Sequence, residues 1–466
     1  MPSVNAPQPD HDQERDRALE RAHELALAFL RSLPERPVGA TASFEEMVTR
    51  LGGPLAETGE GPAAVIEALA KGAEPGLVGS AGSRYFGFVI GGSVPAALGA
   101  DWLTAAWDQN AALNVTSPAA AAAEAVVAEW IKDLLGLPRG AGVGLVTGCQ
   151  MANFSGLLAG RHAVLARAGW DVEKQGLQGG PEVHVVIGEE AHATILSALR
   201  LLGLGEARAL RVPADDQGRM IPAALEETLA PLSGPILIAA QAGNVSTGAF
   251  DPFSEIAALA RAKQAWLHVD GAFGLWAATD PSRRHLVEGV ALADSWATDA
   301  HKWLNVPYDS AVVFTREPEA QRAVFRASSA YLGDSTDPLH YTPENSRRFR
   351  ALPAWMTLRA YGRDGIAEWV QRDCTLARAF ADGLRGIDGI DLLSDVHLNI
   401  VCFALRDADA ATRDRFLDRL NRDGRVFMTP TVLFGRPGIR AALSNWMTQA
   451  ADIEIALAAV RDALRD

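Results

Sequence analysis

The feature that most constrains this chain is a series of short apolar runs, each followed by a turn and most by a helix-like segment. They read "EVHVVIG" (182–188), "PILIAAQ" (235–241), "AWLHVDGAFG" (265–274), "DSWATDAHK" (294–302) and "SAVVFT" (310–315). Strands that are apolar on both faces, with helices between them, belong to a largely parallel sheet covered on both sides. An α/β fold is therefore expected. In such sheets ligands bind beyond the carboxyl ends of the strands. The residues just after each run are thus the first candidates for chemistry.

A chain of 466 residues is too long for one minimal core and suits two or three packed units. Residues 1–82 read as a helical arm, in which Leu19, Leu25, Leu27, Phe29, Leu30 and Leu33 punctuate a charged background and "LGGPLAETGEGP" is a break. Such an arm cannot bury its apolar faces alone, so it is expected to pack on another part of the protein or on a second subunit. Residues 83–358 would form the large domain and 359–466 a smaller α+β unit. Within the large domain, Asp251 is placed to cap a helix starting with Pro252.

Composition excludes several functions. A formal charge of −14, without clustered Lys or Arg, argues against a nucleic-acid surface. Cys149, Cys374 and Cys402 match no zinc spacing, and their sparse, odd count suits a reducing cytoplasm. The polar N-terminal segment does not read as a signal peptide, and no uncharged apolar stretch is long enough to span a membrane.

Four features fall just beyond apolar runs. In "LVTGCQMANFSGLLAGR" (145–161), Thr147-Gly148-Cys149-Gln150 leads into a helix with Phe154, Leu157 and Leu158 on one face. Unpaired N–H groups at such a helix start attract a phosphate. His192 stands at a strand-to-helix turn, Asp270 ends an apolar strand, and Lys302 follows the next strand. Taken singly, each has a plain structural reading: an ordinary small-residue turn, a capping histidine, a structural ion pair and a solvated loop lysine. Together they are what pyridoxal phosphate requires: backbone donors for phosphate, a flat group against the ring, a carboxylate for the ring nitrogen and an amine for the aldehyde.

The order of these segments resembles the pyridoxal-phosphate-dependent group II amino acid decarboxylases, which include aromatic-L-amino-acid, glutamate and diaminobutyrate decarboxylases. "DAHKW" is similar to their lysine motif, "HVDGAFG" to their aspartate motif, "VTGCQMANFSGLLAGRH" to their phosphate loop and "EEAHATI" to their stacking-histidine segment. "SRYFGFVIGGSVPAALGADWL" and "NVTSPAAAAAE" fit the substrate entrance, and "SRRFRALPAWMTLRAYG" fits the helix after the mobile loop. The resemblance runs from about Tyr85 to the C-terminus. It implies the aspartate-aminotransferase-type fold (fold type I), with a mostly parallel seven-stranded sheet, and a homodimer with active sites near the interface.

By position, the resemblance makes Lys302 the Schiff-base lysine, Asp270 the ring-nitrogen partner and His192 the stacking residue. Ala272 would touch the other ring face. Gly148, Cys149 and Gln150 would wrap the phosphate with His301 nearby, and Asn244 is a more distant candidate. Tyr331 matches the mobile-loop tyrosine that returns a proton to the substrate. Burial and a cationic ring are expected to lower the Lys302 pKa. Departures from the pattern are Gln150 in place of Ser or Thr, Met151 in place of Glu, and Asp299 in place of Asn. A carboxylate at 299 would repel phosphate unless it points away or is offset by His301.

Tyr85, Phe86 and Phe88 make the entrance apolar and suit an aromatic amino acid, while Arg84 could meet an acidic one. The expected reaction is decarboxylation of an L-amino acid to its amine. The rivals are an acidic or diamino acid decarboxylase, and an aldehyde synthase, aldolase or aminotransferase on the same fold. A non-catalytic cofactor-binding protein is a further rival.

Overall fold

Prolines and glycines punctuate the chain where helices begin and end. The computed structural model describes residues 11–326 and 337–465. The arm holds α1 (His11–Ser32), α2 (Phe44–Leu51) and α3 (Pro62–Ala73), followed by α4 (Pro95–Trp107) and α5 (Pro118–Leu135). Proline opens α3, α4 and α5, and α5 stops at Gly136 with φ 67°, a left-handed turn that glycine adopts without strain.

The large sheet follows. β1 (Gly142–Val146) leads into α6 (Cys149–Arg167) and the short α7 (Val172–Gln175); β2 (His184–Gly188) leads into α8 (Ala193–Leu201). β3 (Leu210–Val212), α9 (Pro222–Leu229), β4 (Ile236–Gln241), α10 (Phe253–Ala262), β5 (Trp266–Asp270), β6 (Ser295–Asp299) and β7 (Ala311–Thr315) complete it. The seven strands run β1-β7-β6-β5-β4-β2-β3. All pairs are parallel except those of β7, which is antiparallel to both β1 and β6. Every residue of β5, β6 and β7 is buried, as the two-sided apolar runs require.

After α11 (Pro318–Phe325), α12 (Ala351–Arg385) crosses from the large domain toward the C-terminal unit, breaking at Gly362 (φ 63°, ψ −172°). The boundary expected at 358/359 falls within this helix. β8 (Ile390–Leu392), β9 (Ile400–Leu405), α13 (Ala410–Asp423), β10 (Thr429–Leu433), β11 (Arg436–Ala442) and α14 (Ala450–Arg465) follow, with an antiparallel sheet of order β10-β11-β9-β8.

Three local expectations are corrected. Asp251 does not cap α10, whose N-cap is Pro252; its carboxylate accepts the N–H groups of Met220 and Gln241, both at 2.7 Å. Arg84 is not free to meet an acidic substrate. It is buried and ties the arm to the C-terminal unit, donating to the carbonyls of Pro34 and Arg425 at 2.7 Å. Phe86 is 1% exposed in the core of the C-terminal unit beside Phe380, which removes its ring from the entrance. The arm itself leaves apolar surface uncovered: α2 and α3 contain no buried residue, and Phe44 and Leu55 are 78% and 98% exposed.

Candidate active site

β5 and β6 are parallel neighbours, with Asp270 opposite Ala297, so Asp270, Asp299 and the following Lys302 reach the same carboxyl edge of the sheet. α6 begins at that edge, because β1 ends there beside β7. Lys302 Nζ lies 2.9 Å from Asp299 Oδ2, and its side chain is 19% exposed. Asp299 Oδ1 accepts the N–H of Cys149 at 2.7 Å and lies 3.5 Å from His301 Nε2. Asp299 therefore points into the site, and Lys302, more than His301, offsets its charge. Gly91 packs on this turn so closely that a Cβ would fall 1.8 Å from the Lys302 carbonyl oxygen.

Burial lowers the Lys302 pKa, as expected; among the chain's own groups Asp299, with Asp270 behind it, outweighs burial and holds the pKa above its ordinary value. The chain's own groups thus favour the charged amine. His192 caps α8: its Nδ1 lies 2.8 Å from Thr194 Oγ1 and accepts the Thr194 N–H at 3.3 Å. Burial lowers its pKa and so favours the neutral ring. The capping reading and the site reading of His192 are therefore compatible.

Asp270 is 5% exposed, and among the described residues only uncharged donors reach it directly. Oδ2 accepts from Asn153 Nδ2 at 3.0 Å; Oδ1 accepts from the Ala272 N–H at 3.2 Å and lies 3.5 Å from Cys149 Sγ. Burial, then Asp270, raises the Cys149 thiol well above its ordinary pKa, which keeps it protonated. Ala272 packs with Cys149 and Met151 against the sheet.

Gly148 is the N-cap of α6, and the N–H of exposed Gln150 finds no acceptor among the described residues. The buried Nδ1 of His301 also has no partner, and its ring lies 3.8 Å from where a Gly148 Cβ would stand. Asn244 stands apart from this cluster. Its Oδ1 accepts the N–H groups of Ser246 and Thr247, while its buried Nδ2 has no partner. Tyr85 is buried and stacked on Phe427 at 5.1 Å, and Phe88 is 55% exposed with φ 53°. Tyr331 lies outside the described residues.

Sequence reasoning missed three side chains. Asn153 holds Asp270, and Tyr308 packs its ring 4.4 Å from that of His301. Arg440, on β11, donates to the Val245 carbonyl at 3.0 Å, leaves its buried Nε unpartnered and contributes to lowering the His192 pKa. Burial lowers the Arg440 pKa, and no acid pairs with it among the described residues. The helix phase of α6 could have flagged Asn153, which lies one turn after Cys149 on the buried side. Nothing local marked Arg440.

Orphaned donors at the start of α6, a buried carboxylate and an amine on one sheet edge fit the phosphate, ring nitrogen and aldehyde of pyridoxal phosphate. Fold and site together define a pyridoxal-phosphate enzyme. The family model of the pyridoxal-dependent decarboxylase conserved domain matches residues 55–406, and the chain belongs to that family. It is 29% identical over 407 residues to tryptophan decarboxylase 1 of Oryza sativa subsp. japonica, covering 80% of this chain and 78% of that one. It is 27% identical over 371 residues to aromatic-L-amino-acid decarboxylase of Manduca sexta, covering 75% and 72%. The crystal structure of Oryza sativa TDC with PLP and tryptamine superposes with a TM-score of 0.91 at 25% identity, covering 99% of each chain. The protein is thus a pyridoxal-phosphate-dependent amino acid decarboxylase of the expected fold.

Proposed function

We propose that this enzyme decarboxylates an aromatic L-amino acid (tryptophan, tyrosine, DOPA or phenylalanine) to its amine, as a cytoplasmic homodimer. The observation that carries the substrate class is the aromatic surface at the site: Tyr308, exposed and packed against His301, with Phe88 exposed on the segment whose Gly91 packs on Lys302, and Arg84 tied up elsewhere. Arg440, which has no acidic partner among the described residues, is left to attract a substrate carboxylate. The relatedness to tryptophan and aromatic-L-amino-acid decarboxylases supports the same class.

In this reading Lys302 holds the cofactor covalently. Gly148, Cys149, Gln150 and His301 hold its phosphate, and His192 and Ala272 flank its ring, with Asn244 further out. Bound there, pyridoxal phosphate supplies an electron sink for the pair released when CO₂ leaves. Asp270 keeps a proton on the ring nitrogen because its charge is not neutralised by a direct cationic contact. Asp299 supports the protonated state of Lys302. Arg440 orients the substrate carboxylate, which selects the bond to be broken. Tyr331 holds the proton that goes to Cα. The apolar residues left exposed on α2 and α3, with Trp102 and Trp107 on α4 at 40% and 49% exposure, support burial against a second subunit. The three buried, unpaired cysteines fit a reducing compartment. Among the described residues no helix is long and apolar enough to cross a membrane.

The test is a panel of L-amino acids scored for amine, CO₂, aldehyde and peroxide. Aromatic substrates should give amine and CO₂ in equal amounts. Preference for glutamate or diaminobutyrate, or aldehyde with peroxide, would overturn the proposal.

A further inference from the structure

A primary amide is expensive to bury unless each of its groups is paired. Asn153 is 0% exposed, and all of its polar groups are used. Nδ2 donates to Asp270 Oδ2 at 3.0 Å and to Thr194 Oγ1 at 3.2 Å, while Oδ1 faces His268 Nε2 at 2.9 Å. His268 Nδ1 lies 2.8 Å from Ser295 Oγ, which accepts the indole N–H of Trp266 at 2.8 Å. Gly156, on α6, leaves room for this imidazole: a Cβ there would stand 2.7 Å from His268 Nδ1.

The direction of this chain is fixed at Asp270. A carboxylate only accepts, so the Asn153 NH₂ faces it and Oδ1 faces His268 Nε2; the Ser295 hydroxyl, which accepts the indole N–H, has His268 Nδ1 at 2.8 Å and the Gly156 carbonyl at 3.5 Å within reach of its proton. Burial pushes the His268 pKa down to about 4, so the ring is neutral and carries its proton on Nε2. That proton meets Asn153 Oδ1, and the NH₂ side faces Asp270 and Thr194. A flipped amide would set NH₂ against N–H and oxygen against carboxylate. Thr194, accepting from Asn153, gives its proton to His192 Nδ1, leaving Nε2 of His192 as the protonated nitrogen.

We infer that Asn153 is a positioning residue for the cofactor: its one amide fixes the Asp270 carboxylate and, through the Thr194 hydroxyl, reinforces the His192 tautomer that the Thr194 N–H also favours. The inference rests on the reading of Asp270 and His192 as cofactor contacts. It adds that an uncharged relay through His268 and Asn153 holds them both, leaving the Asp270 charge for the ring nitrogen.

The test is made on the full-length protein, stripped of cofactor and titrated with pyridoxal phosphate by absorbance, using Asn153→Ala and Thr194→Val. Asn153→Ala should weaken cofactor binding about tenfold or more, as loss of a hydrogen bond to a charged group does. It should also move the pH dependence of the bound cofactor's visible band. Thr194→Val removes the shorter, hydroxyl link between Asn153 and His192 and leaves the longer backbone N–H bond to Nδ1. It should leave cofactor affinity within about threefold and the melting temperature near wild type, while the ¹⁵N shifts of the His192 ring show mixed tautomers. If Asn153→Ala misfolds, the Thr194→Val ring shifts still decide: an unchanged tautomer overturns the inference. Wild-type affinity and band in a folded Asn153→Ala also overturn it. Wild-type protein that fails to take up pyridoxal phosphate would instead overturn the reading of the site itself.

Discussion

Asp270 and Asp299 end adjacent parallel strands, and both are buried, at 5% and 2% exposure. Their surroundings are opposite. Among the described residues Asp270 is held directly only by uncharged donors: an amide, a backbone N–H and a thiol. Asp299 is paired with Lys302 and also seated on the first N–H of α6. Burying a carboxylate without a counter-charge is costly, so the two sites differ in what they ask of a ligand. Asp299 has its cation already. Asp270 calls for one from outside the chain, and the ring nitrogen of the cofactor is the group that would bring it.

The largest effect expected from that contrast is at Asp270. Asp270→Asn should cut amine formation about 10- to 1000-fold, the value of a carboxylate that shifts a neighbouring pKa by one to three units. Steady-state assays on protein with unchanged circular dichroism would show it, and near-normal turnover would break the comparison. Asp299→Asn should act on pH instead. Removing the acid that raises the Lys302 pKa should lower that pKa. The rate at which stripped protein takes up pyridoxal phosphate should then reach its plateau at a lower pH. A profile that does not move would mean that the Asp299 charge does not govern the lysine.

His268 gives a stability effect behind Asp270. Its folded pKa of about 4 lies below the ordinary value of 6.5, so the unfolded chain binds more protons between those values. The stability from keeping it neutral is whole above pH 6.5 and is lost as pH falls toward 4, about 3 kcal/mol in all. Urea midpoints should therefore fall more steeply with acid for wild type than for His268→Gln; parallel curves would refute this. The smallest effect is expected at Cys149. Its thiol is a weak donor to Asp270, so Cys149→Ala should change turnover by less than about tenfold. The protonated thiol of the native protein should also resist iodoacetamide at pH 8, as read by mass spectrometry.

The parts of this site that were legible in sequence were those whose chemistry is carried by one residue in a local frame. Lys302, Asp270, His192 and the start of α6 each follow a strand within a few residues, and the parallel sheet brings strand ends together. Three other readings failed because one residue type serves several purposes. Arg84 became a staple between the arm and the C-terminal unit, Phe86 became core, and Asp251 received two distant N–H groups in place of capping its own helix. Asp299 was expected to turn from the site or lean on His301, and it turned inward because Lys302 was within reach.

By itself the sequence determined the α/β layering and the cofactor and singled out the residues proposed to anchor it, since periodicity and motif chemistry act over short distances along the chain. Only the tertiary structure decided which groups surround them. Asn153 meets Asp270 across 117 positions, and Arg440 reaches Val245 across 195. Contacts that distant depend on how helix and sheet pack, and burial then sets which partners, protons and charges each side chain keeps.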